Sequence, residues 1–251
     1  MPSPKVASLG TYTWQIRAAE CNPSGFATLP ALLNLLQEAA SLNAEELGFS
    51  KSNFAGAGLN ISWVLTRLRL DMSRYPRWED AVTIVTWPRK GRKITALRDF
   101  ELFLGAERIG AATTEWMIID LATRRASVIP PAVFELANDE RQPALGNAEF
   151  SRLAWNCKER GADALSFRAK RSDIDLNGHV NNVHYAEWFL ETVPESAGVC
   201  RSCEIVFRSE TLAGEEVFAE GVETAPGEFI HRVSAPDGRD HVLAQTLWAP
   251  A

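Results

Sequence analysis

The order of secondary-structure signals, which occurs twice along the chain, constrains the fold more than any other feature. Each copy begins with a short run of alternating polar and apolar residues, continues into an apolar face at helical spacing, and ends in strand-like runs separated by turn residues. In the first copy the helix is predicted from Leu29 to Leu47, with Thr28 as its N-cap. One helix followed by antiparallel strands indicates a sheet wrapped around that helix, so we predict an α+β unit for each copy.

The strands of the two copies correspond in order, although few residues are identical. In the first copy, strands are predicted at 11–17, 61–70, 81–87, 94–104 and 108–120. In the second copy, strands are predicted at 165–169, 203–208, 216–223, 228–234 and 241–248, with a helix that carries Tyr185, Trp188, Phe189 and Val193. We therefore predict two units, residues 1–135 and 161–251, joined by a linker at 136–160 and packed as a pseudo-dimer.

The composition excludes several classes of protein. With 251 residues, 46% hydrophobic and 23% charged, the chain can bury a core in each unit, and its net charge of −6 argues against general nucleic-acid binding. It has no apolar run of about 18 residues and no long apolar region near its start, so we expect no membrane span and a cytoplasmic location. Cys200 and Cys203 form a Cys-x-x-Cys pair without the further ligands that a zinc site needs, and we expect no metal ion.

The segment from Arg171 to Tyr185 carries the densest group of reactive side chains in the sequence. It places carboxylates, imidazoles and carboxamides just before an aromatic-rich helix, at a desolvation cost that indicates a chemical role. Asp175, Asn177 and His179 alternate, so an extended approach to the helix would project their side chains to one side. We interpret the Asn181-Asn182 pair as a structural brace at the start of the helix.

This segment resembles the Asp-x-Asp-x-x-Gly-His-Val-Asn-Asn-x-x-Tyr motif of hotdog-fold thioesterases. Two such units in one chain resemble the acyl-acyl carrier protein thioesterases of bacteria and plant plastids. Stretches of the first copy are similar to the same family, at 63–67, 74–80, 86–88, 97–100 and 116–120. The resemblance implies a tandem double hotdog fold. It also implies hydrolysis of a fatty acyl thioester to a free fatty acid and the carrier thiol in fatty acid biosynthesis, with acyl carrier protein as the partner and no cofactor.

The resemblance also assigns the catalytic residues. It implies that Asp175, Asn177 and His179 are catalytic, together with Glu210 from the strands beyond the helix. The plant enzymes commonly have a cysteine directly after this glutamate. Thr211 occupies that position here, which favours attack by water over a cysteine nucleophile.

The residues themselves leave the identity of the catalytic base open. The base is Glu210, Asp175, or His179 oriented by a carboxylate, and an imidazole is suited to proton transfer near neutral pH. At the predicted helix entrance, free backbone N–H groups near Gly178, His179 and Val180 would hold the carbonyl oxygen of the thioester at the positive end of the helix dipole.

The first copy lacks an equivalent catalytic set. Alignment of the two helix entrances, from Ile16-Arg17-Ala18 and Phe167-Arg168-Ala169, places Ser24 near Asp175, Phe26 near Asn177 and Thr28 near His179. None of these three residues is a carboxylate or an imidazole. We therefore predict one active site per chain, with the first unit forming a wall of the acyl pocket.

An acidic carrier protein would need a basic contact surface even on an acidic enzyme. The densest basic cluster is Arg89, Lys90, Arg92 and Lys93, and we predict that the carrier binds there. The sequence does not decide the length and saturation of the acyl chain, and it is compatible with a monomer or a homodimer.

Three other functions compete with this interpretation. The first is a thioesterase of the same fold that acts on coenzyme A esters, because the motif occurs in such enzymes too. A hydratase of enoyl thioesters is disfavoured, because Gly178 replaces the proline of its motif and Asn181 replaces its last aspartate. A non-catalytic acyl-thioester-binding module is disfavoured because the full catalytic set is retained together, namely Asp175, Asn177, His179 and Glu210.

Overall fold

In the computed structural model, the described residues are 8–137, 141–146, 150–156, 161 and 163–250. The chain divides into two compact units, Met1–Ala148 and Glu149–Ala251. The predicted linker at 136–160 falls partly outside the described residues, and its predicted boundaries stay predictions. None of the helices in the described ranges is both long and apolar enough to cross a membrane.

The first unit is an antiparallel sheet with one long helix. Its strands are β1 (Gly10–Gln15), β2 (Ile61–Met72), β3 (Ala81–Arg89), β4 (Ala96–Leu104), β5 (Glu107–Asp120) and β6 (Ala126–Ser127). Its helices are α1 (Leu29–Glu46), α2 (Lys51–Gly56) and α3 (Pro131–Glu135). The strands pair in the order β1-β3-β4-β5-β2, and β6 pairs with β5. Helix α1 packs against β1 and β3, so the helix lies on the sheet as predicted.

Helix α1 forms where its sequence pattern predicts it. The Ala31 N–H donates to Thr28 Oγ1 at 3.3 Å, and a proline stands in the first turn, where its missing N–H costs nothing. Leu32, Leu36 and Ala39 share one face and are buried. Burial of each leucine contributes about 2 kcal/mol, so this apolar face stabilises the helix more than intrinsic propensity does.

The second unit repeats the arrangement with a shorter helix. Its strands are β7 (Leu165–Arg168), β8 (Val199–Phe207), β9 (Glu216–Ala225), β10 (Glu228–Ser234) and β11 (Asp240–Ala249), and its helix is α4 (Asn182–Leu190). The strands pair in the order β8-β11-β10-β9-β7, and α4 packs against β9 and β10. Val193, predicted to be helical, lies beyond the end of α4, because the following proline disfavours a helical conformation at that residue.

One histidine of the second unit belongs to its core. His231 on β10 is fully buried, and its ring stacks on Phe189 with 4.8 Å between ring centroids. Its Nδ1 lies 3.2 Å from Thr192 Oγ1 and its Nε2 lies 2.8 Å from Thr246 Oγ1, so both nitrogens have hydroxyl partners. Burial lowers the pKa of His231 to about 3, because the charged form would lose its hydration.

We expect acidification to destabilise the second unit through His231. An imidazole in the unfolded chain binds a proton below about pH 6.5, whereas the buried ring does so only near its pKa of about 3. The unfolded state therefore binds more protons between these values, and the free energy of unfolding decreases as the pH is lowered, by at most about 1.4 kcal/mol per pH unit from this group. Urea unfolding of wild type and His231→Phe at several acidic pH values checks this.

The slope of unfolding free energy against pH should be smaller in His231→Phe than in wild type. It should not vanish, because burial also lowers the pKa of His241, which the variant retains. Equal slopes in the two proteins would contradict the assignment.

Candidate active site

Residues 174–180 form a tight loop that carries three of the predicted catalytic residues. A β-bridge joins its first and last residues, and the Asp175 N–H donates to the His179 carbonyl at 2.9 Å. The Gly178 N–H donates to the Asp175 carbonyl at 3.0 Å. Gly178 has a φ of 83°, a left-handed conformation that other residues rarely adopt. The backbone therefore defines the loop, and its conformation requires the glycine.

Asp175 and Asn177 are joined by two hydrogen bonds. The Asn177 backbone N–H donates to Asp175 Oδ1 at 2.7 Å, and Asn177 Nδ2 donates to Oδ2 at 3.2 Å. The first of these bonds is the one that shapes an Asx turn. Because both of its oxygens already accept hydrogen bonds, Asp175 is the least available of the three candidate bases. Its contacts place the exposed Asn177 at the tip of the loop.

The structure brings His179 and Glu210 together across a separation of 31 positions in the chain. His179 Nε2 lies 3.1 Å from Glu210 Oε2. The side chains are 25% and 43% exposed, so water and a substrate can reach both. A carboxylate at this distance can orient the imidazole, which suits general-base catalysis. Among the described residues, no group of three His, Cys, Asp or Glu side chains could hold a metal ion.

The predicted oxyanion donors occupy a different position from the one expected. The N-cap of α4 is Asn181, so Gly178 and Val180 lie before the first helical turn rather than within it. Their N–H groups donate to backbone carbonyls at 3.0 and 2.9 Å. Their assignment as oxyanion donors stays a prediction, and it requires each N–H to bind its carbonyl and the substrate oxygen at the same time. Within the ranges that the structure describes, no backbone carbonyl accepts the N–H of His179, so it is the one of the three predicted donors without a main-chain hydrogen bond.

Asn181 and Asp173 support the loop. Asn181 Oδ1 accepts the Val183 N–H at 3.1 Å, and the Asn181 N–H donates to the Asp173 carbonyl at 2.8 Å. Asp173 Oδ2 accepts the Lys170 N–H at 2.8 Å. These contacts confirm the predicted structural role of Asn181, which is to cap α4 and fix the end of the loop.

The same loop occurs in the first unit with different side chains. A bridge between Cys21 and Ala27 closes it, as a bridge between Ile174 and Val180 closes the second loop. The corresponding pairs are Asn22 and Asp175, Ser24 and Asn177, Gly25 and Gly178, and Phe26 and His179. The hydrogen bonds also correspond, because the Ser24 N–H donates to Asn22 Oδ1 at 3.0 Å and the Gly25 N–H donates to the Asn22 carbonyl at 2.9 Å.

This correspondence corrects the alignment predicted from sequence, which was two residues out of register. The alignment rested on a few shared residue letters, whereas the bridges and the left-handed glycines fix the true pairs. Phe26 occupies the position of His179, and the Arg77 guanidinium lies over its ring at 4.4 Å. In the corrected register, as in the predicted one, the first loop holds neither an imidazole nor a carboxylate.

The predicted carrier-contact residues divide into two groups. Arg89 Nη1 lies 3.2 and 3.1 Å from the two carboxylate oxygens of Asp99, which is fully buried, so Arg89 has a structural role. Lys90, Arg92 and Lys93 are exposed, and carrier binding by these three stays a prediction.

Sequence reasoning gave no role to a hydroxyl pair beside the site. The Tyr185 hydroxyl donates to Thr211 Oγ1 at 2.9 Å, directly after Glu210 in the chain. In the sequence, only Thr211 stood out, because it occupies the position where the plant enzymes have cysteine. Nothing in the sequence indicated that its hydrogen-bond partner is Tyr185, 26 positions away.

Two family models match this chain. The model described as Acyl-ACP thioesterase N-terminal domain matches residues 9–137, and the model described as Acyl-ACP thioesterase C-terminal domain matches residues 158–250. The chloroplastic oleoyl-acyl carrier protein thioesterase of Coriandrum sativum is 32% identical over 253 residues, covering 91% of this chain and 69% of that protein. Oleoyl-acyl carrier protein thioesterase 2 of Arabidopsis thaliana is 28% identical, covering 89% of this chain and 65% of that protein, so this chain spans just under two thirds of its length.

Solved structures share the fold. An acyl-ACP thioesterase from Bacteroides thetaiotaomicron superposes with a TM-score of 0.86 at 24% identity, covering 96% of this chain and 98% of that one. The 12:0-ACP thioesterase from Umbellularia californica gives the same TM-score and identity, with 97% and 98% covered. These similarities confirm the predicted α+β double hotdog fold.

Proposed function

The chain belongs to the acyl-acyl carrier protein thioesterase family, and we propose that it hydrolyses fatty acyl thioesters of acyl carrier protein to a free fatty acid and the carrier thiol. The observation that carries the proposal is the pair of His179 and Glu210, 3.1 Å apart beside the loop of Asp175 and Asn177. The names of the relatives from Coriandrum sativum and Arabidopsis thaliana support the class of substrate. The reaction is consistent with a role in fatty acid biosynthesis.

In the proposed reaction, water attacks the thioester carbonyl carbon. Glu210 accepts the hydrogen on His179 Nε2, which fixes the tautomer whose lone pair is on Nδ1. Nδ1 then takes a proton from the attacking water, and the Glu210 carboxylate stabilises the resulting imidazolium. When the carbon–sulfur bond breaks, the departing thiolate takes that proton, so one water is consumed and one acid and one thiol are released. Thr211, in the position of the plant cysteine, supplies no thiol nucleophile.

The decisive experiment compares two thiol carriers of one acyl group. Purified protein is assayed for release of free thiol from acyl-acyl carrier protein and from the matching acyl-coenzyme A. We expect a higher kcat/KM on the carrier protein. A higher value on coenzyme A would support the alternative acyl-CoA thioesterase, and binding without thiol release would support the non-catalytic module.

The assay should cover short to long acyl chains. The relatives are named for different groups, oleoyl in Coriandrum sativum and 12:0 in Umbellularia californica, so family membership does not fix the chain length. The chain length that gives the highest kcat/KM also provides the substrate for the variants below.

We also propose that exposed cations of the β3–β4 turn bind the carrier protein. Reversing the charges with Lys90→Glu, Arg92→Glu and Lys93→Glu together should lower kcat/KM on acyl-acyl carrier protein about tenfold at low salt, because basic groups speed encounter with an acidic partner. Arg89 is left unchanged, since its substitution would disturb the buried Asp99.

The control for this variant is a small neutral substrate, an acyl-N-acetylcysteamine thioester, which lacks the carrier. Its kcat/KM should equal the wild-type value. If turnover of the carrier-bound substrate is also unchanged, the carrier binds elsewhere.

A further inference from the structure

A buried side-chain hydrogen bond lies directly behind the His179–Glu210 pair. The Tyr185 hydroxyl donates to Thr211 Oγ1 at 2.9 Å, and the two residues are only 2% and 0% exposed. Thr211 follows Glu210 in the chain. Its carbonyl accepts the N–H of Val180, the residue after His179, at 2.9 Å. Two hydrogen bonds on one residue therefore connect the segment that carries Glu210 to the loop and to α4.

We propose that Tyr185 and Thr211 are positioning residues that hold the Glu210 carboxylate against the His179 imidazole. The Tyr185 ring is itself fixed, because it packs edge-on against Trp188 at 5.3 Å between centroids. A rigid donor on α4 thus sets the position of the residue next to Glu210. The proposal rests on the proposed function only for its kinetic test.

The first unit shows that the hydroxyl pair is not needed to fold such a loop. There the Ala27 N–H donates to the Pro76 carbonyl at 2.8 Å, as the Val180 N–H donates to the Thr211 carbonyl. Pro76 therefore corresponds to Thr211. Leu32, four residues after the N-cap Thr28, corresponds to Tyr185, four residues after the N-cap Asn181.

Leu32 and Pro76, the apolar counterparts of Tyr185 and Thr211, distinguish a role in folding the loop from a role in positioning the catalytic pair. In the first unit the backbone bond is present, the loop has the same hydrogen bonds, and the side chains of Leu32 and Pro76 have no hydroxyl. In the second unit the same backbone hydrogen bonds occur together with the hydrogen bond between Tyr185 and Thr211 and with the His179–Glu210 pair. The hydroxyl bond accompanies the catalytic pair, not the fold of the loop.

Electrostatics support the arrangement. Burial raises the pKa of Tyr185 to about 12, and the negative charge of Glu210 adds to this shift. The hydroxyl therefore keeps its proton and remains a donor at any ordinary assay pH.

Four variants test the proposal. Thr211→Val and Tyr185→Phe each remove one hydroxyl with little change in shape, and each should lower kcat roughly 10–100-fold, because a misplacement of about 1 Å in a catalytic group has effects of this size. KM should stay within about twofold of wild type, since neither residue is assigned to substrate binding. Thr211→Ser keeps the hydroxyl and should restore most of kcat. The double variant should be no slower than either single variant, because both remove the same bond.

A matched control removes a different buried hydroxyl from the same unit. Thr246 is fully buried like Thr211, and its Oγ1 accepts the Trp248 Nε1–H at 2.8 Å and lies 2.8 Å from His231 Nε2. Thr246→Val should lower Tm at least as much as Thr211→Val does, while kcat stays within about twofold of wild type. Equal loss of kcat in Thr246→Val and Thr211→Val would overturn the proposal, as would a Thr211→Ser variant as slow as Thr211→Val.

A spectroscopic measurement keeps this test separate from the proposed function. The 15N chemical shifts of the His179 ring report its tautomer and its hydrogen bonds. They should change in Thr211→Val and Tyr185→Phe and stay at wild-type values in Thr246→Val. Unchanged shifts in the first two variants refute the positioning role, whether or not wild type releases thiol. Loss of the proposed function appears instead as a wild-type protein without thioesterase activity.

Discussion

Replacing His179 with alanine is expected to lower kcat by roughly 10²–10⁴-fold, the range of general acid–base catalysis by one side chain. The imidazole contacts Glu210 at 3.1 Å and is the group best placed to take a proton from water. Main-chain hydrogen bonds define the loop that carries this imidazole, so the protein should remain folded without it. The measurement is single-turnover release of free thiol from acyl-acyl carrier protein, with circular dichroism as the check on folding.

The control is another histidine in a similar environment. His184 on α4 also has a side chain that is 25% exposed, and its Nδ1 lies 2.7 Å from Glu187 Oε2. His184→Ala removes an imidazole–carboxylate pair of the same kind outside the loop, and kcat should stay within about twofold of wild type. Near-normal turnover in a folded His179→Ala protein would refute the role of His179.

The second large effect concerns stability. Asp99 on β4 is fully buried and accepts four hydrogen bonds, of which two come from Arg89. The others come from Thr113 Oγ1 and the Ala144 N–H, each at 2.8 Å. Asp99→Ala leaves these donors without their acceptor, and we expect the free energy of unfolding of the first unit to fall by about 3–5 kcal/mol. Urea unfolding followed by tryptophan fluorescence measures the change.

A surface ion pair provides the comparison. Arg74 Nη1 lies 2.6 Å from Glu107 Oε2, but the two side chains are 53% and 54% exposed. Glu107→Ala should cost less than about 1 kcal/mol, because solvent screens such pairs. If the two variants had equal effects, the network around Asp99 would have no special part in stability.

The sequence predicted the elements whose signals are local. Helix α1 has its N-cap at Thr28 and a regular apolar face, and it was found within one residue of the predicted ends. The double hotdog fold followed from the repeated order of elements and from the resemblance, because both copies keep that order. The sequence predicted that Asp175, Asn177 and His179 approach the helix as an extended segment, and this was wrong, because a bridge and an Asx turn fold them into a tight loop.

Features that depend on contacts between distant residues were not predicted. The register between the two loops is set by backbone bridges, such as that of Cys21 with Ala27, which leave no mark in the residue letters. Arg89 looked like part of a surface cluster because its buried partner, Asp99, lies on the next strand. The bond between Tyr185 and Thr211 joins residues 26 positions apart, and no spacing rule predicts it.

The duplicated loop has a consequence for how such a protein evolves. Its shape depends on main-chain hydrogen bonds, one left-handed glycine and a side-chain oxygen that asparagine and aspartate supply equally well. After gene duplication, substitutions at the other loop positions could therefore accumulate in one copy without penalty to folding. Phe26, in the place of His179, shows that this backbone accepts an aromatic side chain without an imidazole. The fold of the loop depends on main-chain atoms, whereas the reaction depends on side chains. A copy without the catalytic side chains therefore retains a backbone that could support a new reaction.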